Sequence, residues 1–278
     1  MRGDKQLEQR LRARLVALGA QGLLRTLRAP AGVDLSSNDY LNLSKHPAVA
    51  TRLIEGVVRD GCGSTGSRLL RGEREGFAAL ESRFARFKGA ERALYFAAGY
   101  LANIGVLATL AEAADTIFLD RRNHASLIDG ARLSRARAVR FPHNDVGRLA
   151  RLLAESSGTG VRFVVVESLF SMDGDVAPLA EYAELCRSAG AVLVVDEAHA
   201  VGVYGARGSG LMEAAGLEHD RTISISTAGK ALGVAGAFVA GPAWVVEYLI
   251  QRARPFVFST ASPPALADAL NAALTIVS

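Results

Sequence analysis

The stretch 222-TISISTAGKALGVAGAFVA-240 holds two β-like runs, TISIS and AGAFVA, with only about eight residues between them. A crossover between parallel strands needs a dozen or more residues, so the second run must turn back and lie antiparallel to the first. Lys230 falls in the turn, flanked by Gly229, Ala231 and Gly233. Upstream, the short apolar runs 92-RALYF-96, 115-DTIFL-119, 161-VRFVVV-166 and 191-AVLVV-195 are spaced by amphipathic helical stretches. Continuous apolar runs of this kind belong to strands buried on both faces. The expectation is an α/β three-layer sandwich with a mostly parallel sheet and an antiparallel last strand. Helical periodicity also appears at about 48–59, 75–88 and 262–278, while 36-SSNDYLNLSKHP-47 is polar and turn-rich.

A chain of 278 residues, half of them apolar, can bury a substantial core. Its 32 Lys+Arg against 28 Asp+Glu leave a formal charge of +4, too small and dispersed to argue for nucleic acid or an anionic membrane. Cys62 and Cys186 lie far apart without C-x-x-C spacing, which suggests neither a disulfide framework nor a zinc site and fits a reducing, cytoplasmic setting. No apolar run reaches the roughly 18 residues that span a bilayer. At the N-terminus, Leu7, Leu11, Leu15 and Leu18 recur at helical spacing, and Asp4 and Glu8 argue against an organelle address. A packing helix and arm over 1–46, ahead of one large domain over 47–278, is the expected organisation.

The segment 196-DEAH-199 spells a helicase signature. That chemistry requires an upstream phosphate loop G-x-x-x-x-G-K-[ST], because the aspartate holds magnesium only against nucleotide phosphates. The sequence around Lys230 comes nearest, but it lies downstream, with Ser224 for the first glycine and Ala231 for the hydroxyl. The helicase reading is therefore set aside.

Other chemistry fits better. Asp196 directly follows a strand run, which places its carboxylate at the sheet's carboxyl edge, where ligands of open α/β sheets bind; a turn or helix cap is the plainer alternative. Lys230, if desolvated among small residues, has a depressed pKa and an amine able to form a Schiff base; a solvated lysine at a loop tip is the plainer alternative. Thr227 offers a nearby hydroxyl to an anion. Together the two groups meet the needs of pyridoxal phosphate: an amine for the aldehyde, a carboxylate for the pyridinium nitrogen, and backbone donors for the phosphate. Ala98, Gly99 and Tyr100, between a strand and a helix, supply those donors at a helix N-terminus. His124, after the run DTIFL, reaches the same edge, either to lie on a ring or simply to hydrogen-bond.

Eight ordered segments carry a wider likeness: SSNDYLNLSKHP, GCGSTGSRLLRG, AAGYLANIGV, NHASLIDG, ESLFSMDGDVAPL, VVDEAHAVGVYGARGSG, STAGKALG and FVFSTASPPA. In these the chain resembles the α-oxoamine synthases, fold-type I pyridoxal phosphate enzymes that condense an amino acid with an acyl thioester and release carbon dioxide. The resemblance implies that Lys230 forms the aldimine, Asp196 pairs with the pyridinium nitrogen and His199 donates to the phenolic oxygen. It further implies that His124 stacks on the ring, with Lys230, His199 and His124 catalytic. Gly99, Tyr100 and Thr227 would hold the phosphate, Ser171 would reach the phenolic edge or the substrate, and Asn38 would face the substrate. Ser259 and Thr260 would reach the phosphate of the neighbouring subunit, which makes the protein a homodimer with shared sites. Within the family, 141-FPHNDVGRLARLLAE-155 and the short N-terminal portion point to the member that joins L-alanine to a pimeloyl thioester, carried on CoA or a carrier protein, in biotin synthesis. Glycine- and serine-using relatives share the same motifs. A non-catalytic pairing subunit is the alternative from another class, disfavoured because such a subunit has no need of a Schiff-base lysine.

Three positions depart from the family pattern. Phe77 stands where histidine is usual, Asn42 where glycine is usual, and Ala98 where serine is usual. Of these, Phe77 threatens substrate contacts most, whereas Ala98 leaves the backbone donors in place. The family pattern also continues for roughly another hundred residues into a small C-terminal domain carrying a carboxylate-binding arginine, which is expected to be missing here.

Overall fold

The computed structural model describes residues 2–278, and Met1 lies outside the described residues. Two compact units are present, one up to Ser37 and one from Asn38 onward. In the first, helix α1 (Arg2–Ala20) carries the four leucines at the expected spacing, with Glu8 and Arg12 paired one turn apart at 2.8 Å. It ends where the Leu23 N–H returns to the Leu18 carbonyl and Gly22 adopts a positive φ of 69°, a geometry glycine takes without steric cost. Further on, the Asp34 carboxylate accepts the N–H groups of Ser36 and Ser37, closing a local turn.

The second unit is built on one seven-stranded sheet. Its strands are β1 (Arg92–Phe96), β2 (Thr116–Asp120), β3 (Arg137–Phe141), β4 (Arg162–Glu167), β5 (Val192–Asp196), β6 (Thr222–Thr227) and β7 (Ala237–Gly241). They lie in the order β1-β7-β6-β5-β4-β2-β3. As expected from the short connection, β7 runs antiparallel to β6; it also runs antiparallel to β1, between which two strands it lies. The remaining six strands share one direction. Strand β3 was not anticipated. Its sequence RAVRF alternates, with Phe141 buried and Arg137 and Arg140 exposed, as suits an edge strand rather than a continuous apolar run.

Eleven α-helices among the described residues include, besides α1, α2 (Pro47–Asp60), α3 (Glu75–Lys88), α4 (Gly99–Leu110), α5 (Ala125–Ser134), α6 (Val146–Glu155), α7 (Leu179–Ala189), α8 (Leu211–Ala214), α9 (Ala243–Arg252), α10 (Arg254–Val257) and α11 (Ala265–Val277). Successive strand residues point to opposite faces, and the core divides accordingly. Ile117, Leu119, Phe163, Val165 and Val194 join α4, α5 and α9 on one face. Phe118, Val164, Val166, Leu193 and Val195 meet α6 and α7 on the other, where Phe238 and Tyr95 extend the layer toward α3 and α11. Phe84 stacks on Phe238 with ring centroids 3.9 Å apart. The result is helix, sheet, helix.

One ion pair crosses this core. The Lys88 amine, at the end of α3, reaches the Glu197 carboxylate just beyond β5 and the Ser209 carbonyl, and all three residues are buried. Glu197 also accepts the Met212 N–H at 2.8 Å, so both charges have hydrogen-bond partners, which burial of an ion pair requires. This clamp fixes the chain immediately after Asp196.

Candidate active site

Three neighbouring strands end at the same edge of the sheet, and the cleft lies beyond them. β4 ends in Glu167, β5 in Asp196 and β6 in Thr227, and Glu167 pairs in register with Asp196. The cleft holds about 180 Å³, and its lining includes Gly99, Tyr100, His124, Asp196, His199, Thr227 and Lys230. Seven residues chosen from the sequence thus meet in one cavity, together with Asn103, Ser126 and Glu167, which were not chosen.

Lys230 gains its place from a tight loop after β6. The Gly233 N–H bonds the Lys230 carbonyl at 2.9 Å, and the Val234 N–H bonds the Ala228 carbonyl at 3.0 Å. Gly233 has φ +66°, and a Cβ there would stand 2.3 Å from the backbone nitrogen of Ser44. Only glycine fits that approach. Burial lowers the pKa of Lys230, against the pull of Asp196 and Glu167 toward the charged form. Its amine lies 2.5 Å from Nε2 of His199. Nδ1 of His199 in turn lies 2.7 Å from the Tyr40 hydroxyl, which bonds Asn38 Oδ1 at 3.2 Å. Asn38 is therefore linked to the lysine through Tyr40 and His199. Burial, reinforced by the Lys230 charge, pushes the His199 pKa down to about 4, so this imidazole is neutral near pH 7.

Asp196 is held from two sides. Its Oδ1 accepts the Ala198 N–H at 2.9 Å and its Oδ2 accepts the Asn103 amide at 2.7 Å. Beside it, Glu167 is raised to about 7 by burial and by the Asp196 charge, while N–H bonds from His124 and Ser171 oppose the rise. The His124 bond is 2.5 Å long, and the imidazole Nδ1 lies 2.7 Å from Ser126 Oγ.

The third side of the cleft is the start of α4. No side chain among the described residues caps this helix, so its first N–H groups remain for another acceptor. A Cβ on Gly99 would sit 3.5 Å from the Cβ and Oγ1 of Thr227, narrowing the space between them. An amine of depressed pKa, a fixed carboxylate and an uncapped helix start converge here, which is the donor set pyridoxal phosphate needs.

Other residues fall elsewhere. Ser171 meets Glu167 through its backbone, and its side chain is exposed. Ser259 and Thr260 line a separate small pocket of about 20 Å³ with Arg68 and Phe256. Phe77 is wholly buried, stacked on Tyr95 with centroids 5.6 Å apart and covered by the Arg68 guanidinium at 4.9 Å. It is a core residue, not a wall of the cleft. Asn42 adopts φ +54°, the left-handed geometry that glycine takes most easily and asparagine tolerates. Ala98 stands at the N-cap of α4 in extended conformation.

Glu167 was legible in principle, since it ends an apolar run as Asp196 does. Asn103 had a weaker sign, an amide one turn beyond Gly99 in the largely apolar helix GYLANIGVLATL.

Comparison with known proteins agrees with this geometry. The aminotransferase class I and II family matches residues 30–278. The 8-amino-7-oxononanoate synthase of Geobacter sulfurreducens is 49% identical over 95% of this chain and 71% of its own length. That of Azoarcus sp. strain BH72 is 48% identical over 98% and 73%. Among solved structures, the serine palmitoyltransferase of S. paucimobilis with bound PLP-myriocin aldimine superposes with a TM-score of 0.87 at 30% identity, covering 96% of this chain and 73% of that one. The 8-amino-7-oxononanoate synthase of Francisella tularensis gives 0.77 at 32%, covering 88% and 69%. The chain therefore spans about seven-tenths of the length of the curated relatives it matches. With most of its residues matched and its cleft at the sheet edge where the fold places ligands, the chain belongs to the aminotransferase class I and II family, on the α-oxoamine synthase branch.

Proposed function

We propose that the chain carries out the 8-amino-7-oxononanoate synthase reaction of biotin synthesis, using pyridoxal phosphate. L-alanine and a pimeloyl thioester, on CoA or a carrier protein, give 8-amino-7-oxononanoate, the free thiol and carbon dioxide. The observation that carries the reading is the convergence of Lys230 and Asp196 on one cavity closed by the start of α4. The near-half identity to curated synthases supports the choice of substrates.

When bound, the cofactor supplies an electron sink for charge that develops at the amino acid's α-carbon. Lys230 would hold its aldehyde carbon, Asp196 its ring nitrogen, and Gly99, Tyr100 and Thr227 its phosphate. The remaining chemistry belongs to side chains of the chain. Because burial disfavours the ammonium form, the Lys230 amine can remove the α-proton as a general base. Neutral His199 bridges Lys230 and Tyr40 by its two nitrogens, so it can accept a proton at one while releasing one at the other. His124, held through Glu167 and Ser126, lines the same cleft and serves the ring or the developing carbonyl charge. Ser171 and Asn38 serve the substrate. Ser259 and Thr260 serve the phosphate of a second copy, so the working form is a homodimer in the cytoplasm, with residues 1–46 as an arm and 47–278 as the cofactor domain. Among the described residues no helix is long and apolar enough to cross a membrane.

Adding pyridoxal phosphate to the purified protein should produce a visible absorbance band that changes on addition of L-alanine. Lys230→Ala should abolish the lysine-dependent band and turnover. Wild-type absorbance and product in that variant would overturn the assignment, and product assays with several acyl thioesters test the donor.

A further inference from the structure

One buried amide touches two of the groups just assigned. Asn103, in α4, is 2% exposed. Its Nδ2 donates to Asp196 Oδ2 at 2.7 Å and to Ser126 Oγ at 2.8 Å. The carboxylate only accepts, which fixes the amide's orientation: the opposite flip would set Asn103 Oδ1 against Asp196 Oδ2. Both amide protons are then used. Asn103 Oδ1 is left buried without a partner among the described residues, so the two bonds from Nδ2 are made although the other end goes unmet.

The consequence passes to His124. Since Ser126 Oγ accepts from Asn103, its own proton is free to point at His124 Nδ1, 2.7 Å away. The Ser126 backbone N–H, which can only donate, also aims at Nδ1 at 3.2 Å. The backbone donor requires that nitrogen to carry a lone pair, and the Ser126 hydroxyl then donates to it as well. The neutral imidazole must then hold its proton on Nε2.

We propose that Asn103 is a positioning residue that orients the Asp196 carboxylate and, through Ser126 Oγ, reinforces the Nε2-protonated tautomer of His124 that the Ser126 N–H favours. This deepens the proposed function, whose cofactor it concerns, but its first test needs no cofactor. NMR of ring-labelled histidine in the cofactor-free protein, with the His124 signal identified among the five histidines by a His124→Gln comparison, should show the proton on Nε2. A proton on Nδ1 would overturn the proposal. In Asn103→Leu, near-isosteric and without the amide, Ser126 Oγ is free to accept from His124 Nδ1, so part of the Nε2-protonated population, still favoured by the Ser126 N–H, should shift to the Nδ1 form. Its pyridoxal phosphate affinity should fall about tenfold, the scale of one charge-assisted hydrogen bond. Ser126→Ala keeps the bond to Asp196, so it should loosen the tautomer while changing that affinity by no more than about threefold. Unchanged tautomer and affinity in Asn103→Leu would reject the assignment. Should that variant fail to fold, the wild-type tautomer and Ser126→Ala decide it. A wild-type protein that binds no pyridoxal phosphate yet shows the Nε2 tautomer would sink the proposed cofactor and leave the Asn103 relay standing.

Discussion

Glu167 sits in a setting unlike that of an ordinary carboxylate. Burial and the adjoining Asp196 charge raise its pKa to about 7, against 4.5 for a free side chain. The sign follows from proton counting. Below pH 4.5 both folded and unfolded states hold the proton, so the shift costs nothing. Between 4.5 and about 7 the unfolded chain releases it while the folded chain retains it, and stability falls; above 7 the loss is constant. Glu167→Gln keeps an acceptor for the His124 N–H and carries no charge. The variant should therefore gain on the wild type as pH rises from 4.5 to 7, by about 1–3 kcal/mol at the plateau. Urea denaturation at pH 4.5, 6 and 8 measures it, and a difference that stays flat across that range would show that Glu167 is ionised and compensated in the folded protein.

At the scale of elements, the loop from β6 to β7 sets the position of Lys230 in the cleft. Its brevity forces β7 to reverse, and its packing on residues 43–44 leaves no room at Gly233. Gly233→Ala combines a strained positive φ with a backbone clash and should cost about 2–4 kcal/mol. Gly216→Ala is the control, for it has the same φ of +66° with nothing within 4 Å of the added Cβ. It should cost only about 1–2 kcal/mol. Equal losses in the two variants, compared by denaturant midpoints, would show that the approach to Ser44 relaxes freely. The same loop explains what the chain disclosed in advance. Strands buried on both faces announce themselves as apolar runs, so β1, β2, β4, β5 and β6 were legible, and connection length revealed the direction of β7. Its seat between β1 and β6 was not, because pairing with β1 joins residues well over a hundred positions apart and leaves no local pattern. Strand β3 hid for the opposite reason, being polar on one face. Asp196 was legible from its place at a strand end and Lys230 from the short turn between two strands. The contacts of Tyr40 with His199 and of Asn103 with Asp196 arise only when distant segments fold together.

Across the whole second unit, the cleft draws on most of the chain's length. Tyr40, Gly99, Asn103, His124, Glu167, Asp196, His199 and Lys230 come from segments before β1, after β1 and β2, at the ends of β4 and β5, and after β5 and β6. Those segments cannot keep their mutual geometry unless the sheet is intact, and the Lys88–Glu197 clamp ties the strand end bearing Asp196 to α3. A ligand that needs all of them binds the folded unit and not the unfolded chain. Its binding free energy then adds directly to stability, by about 2.7 kcal/mol at a hundred times Kd. For a unit of this size that corresponds to a rise of roughly 5–10 °C in Tm. Calorimetry with and without pyridoxal phosphate should show one transition for residues 38–278 moving upward by that amount. Lys230→Ala, which leaves only the ring and phosphate contacts, should shift much less. A cofactor that raised only part of the transition, leaving an earlier melting step in place, would mean that the cleft is held by a local subset of strands and not by the sheet as a whole.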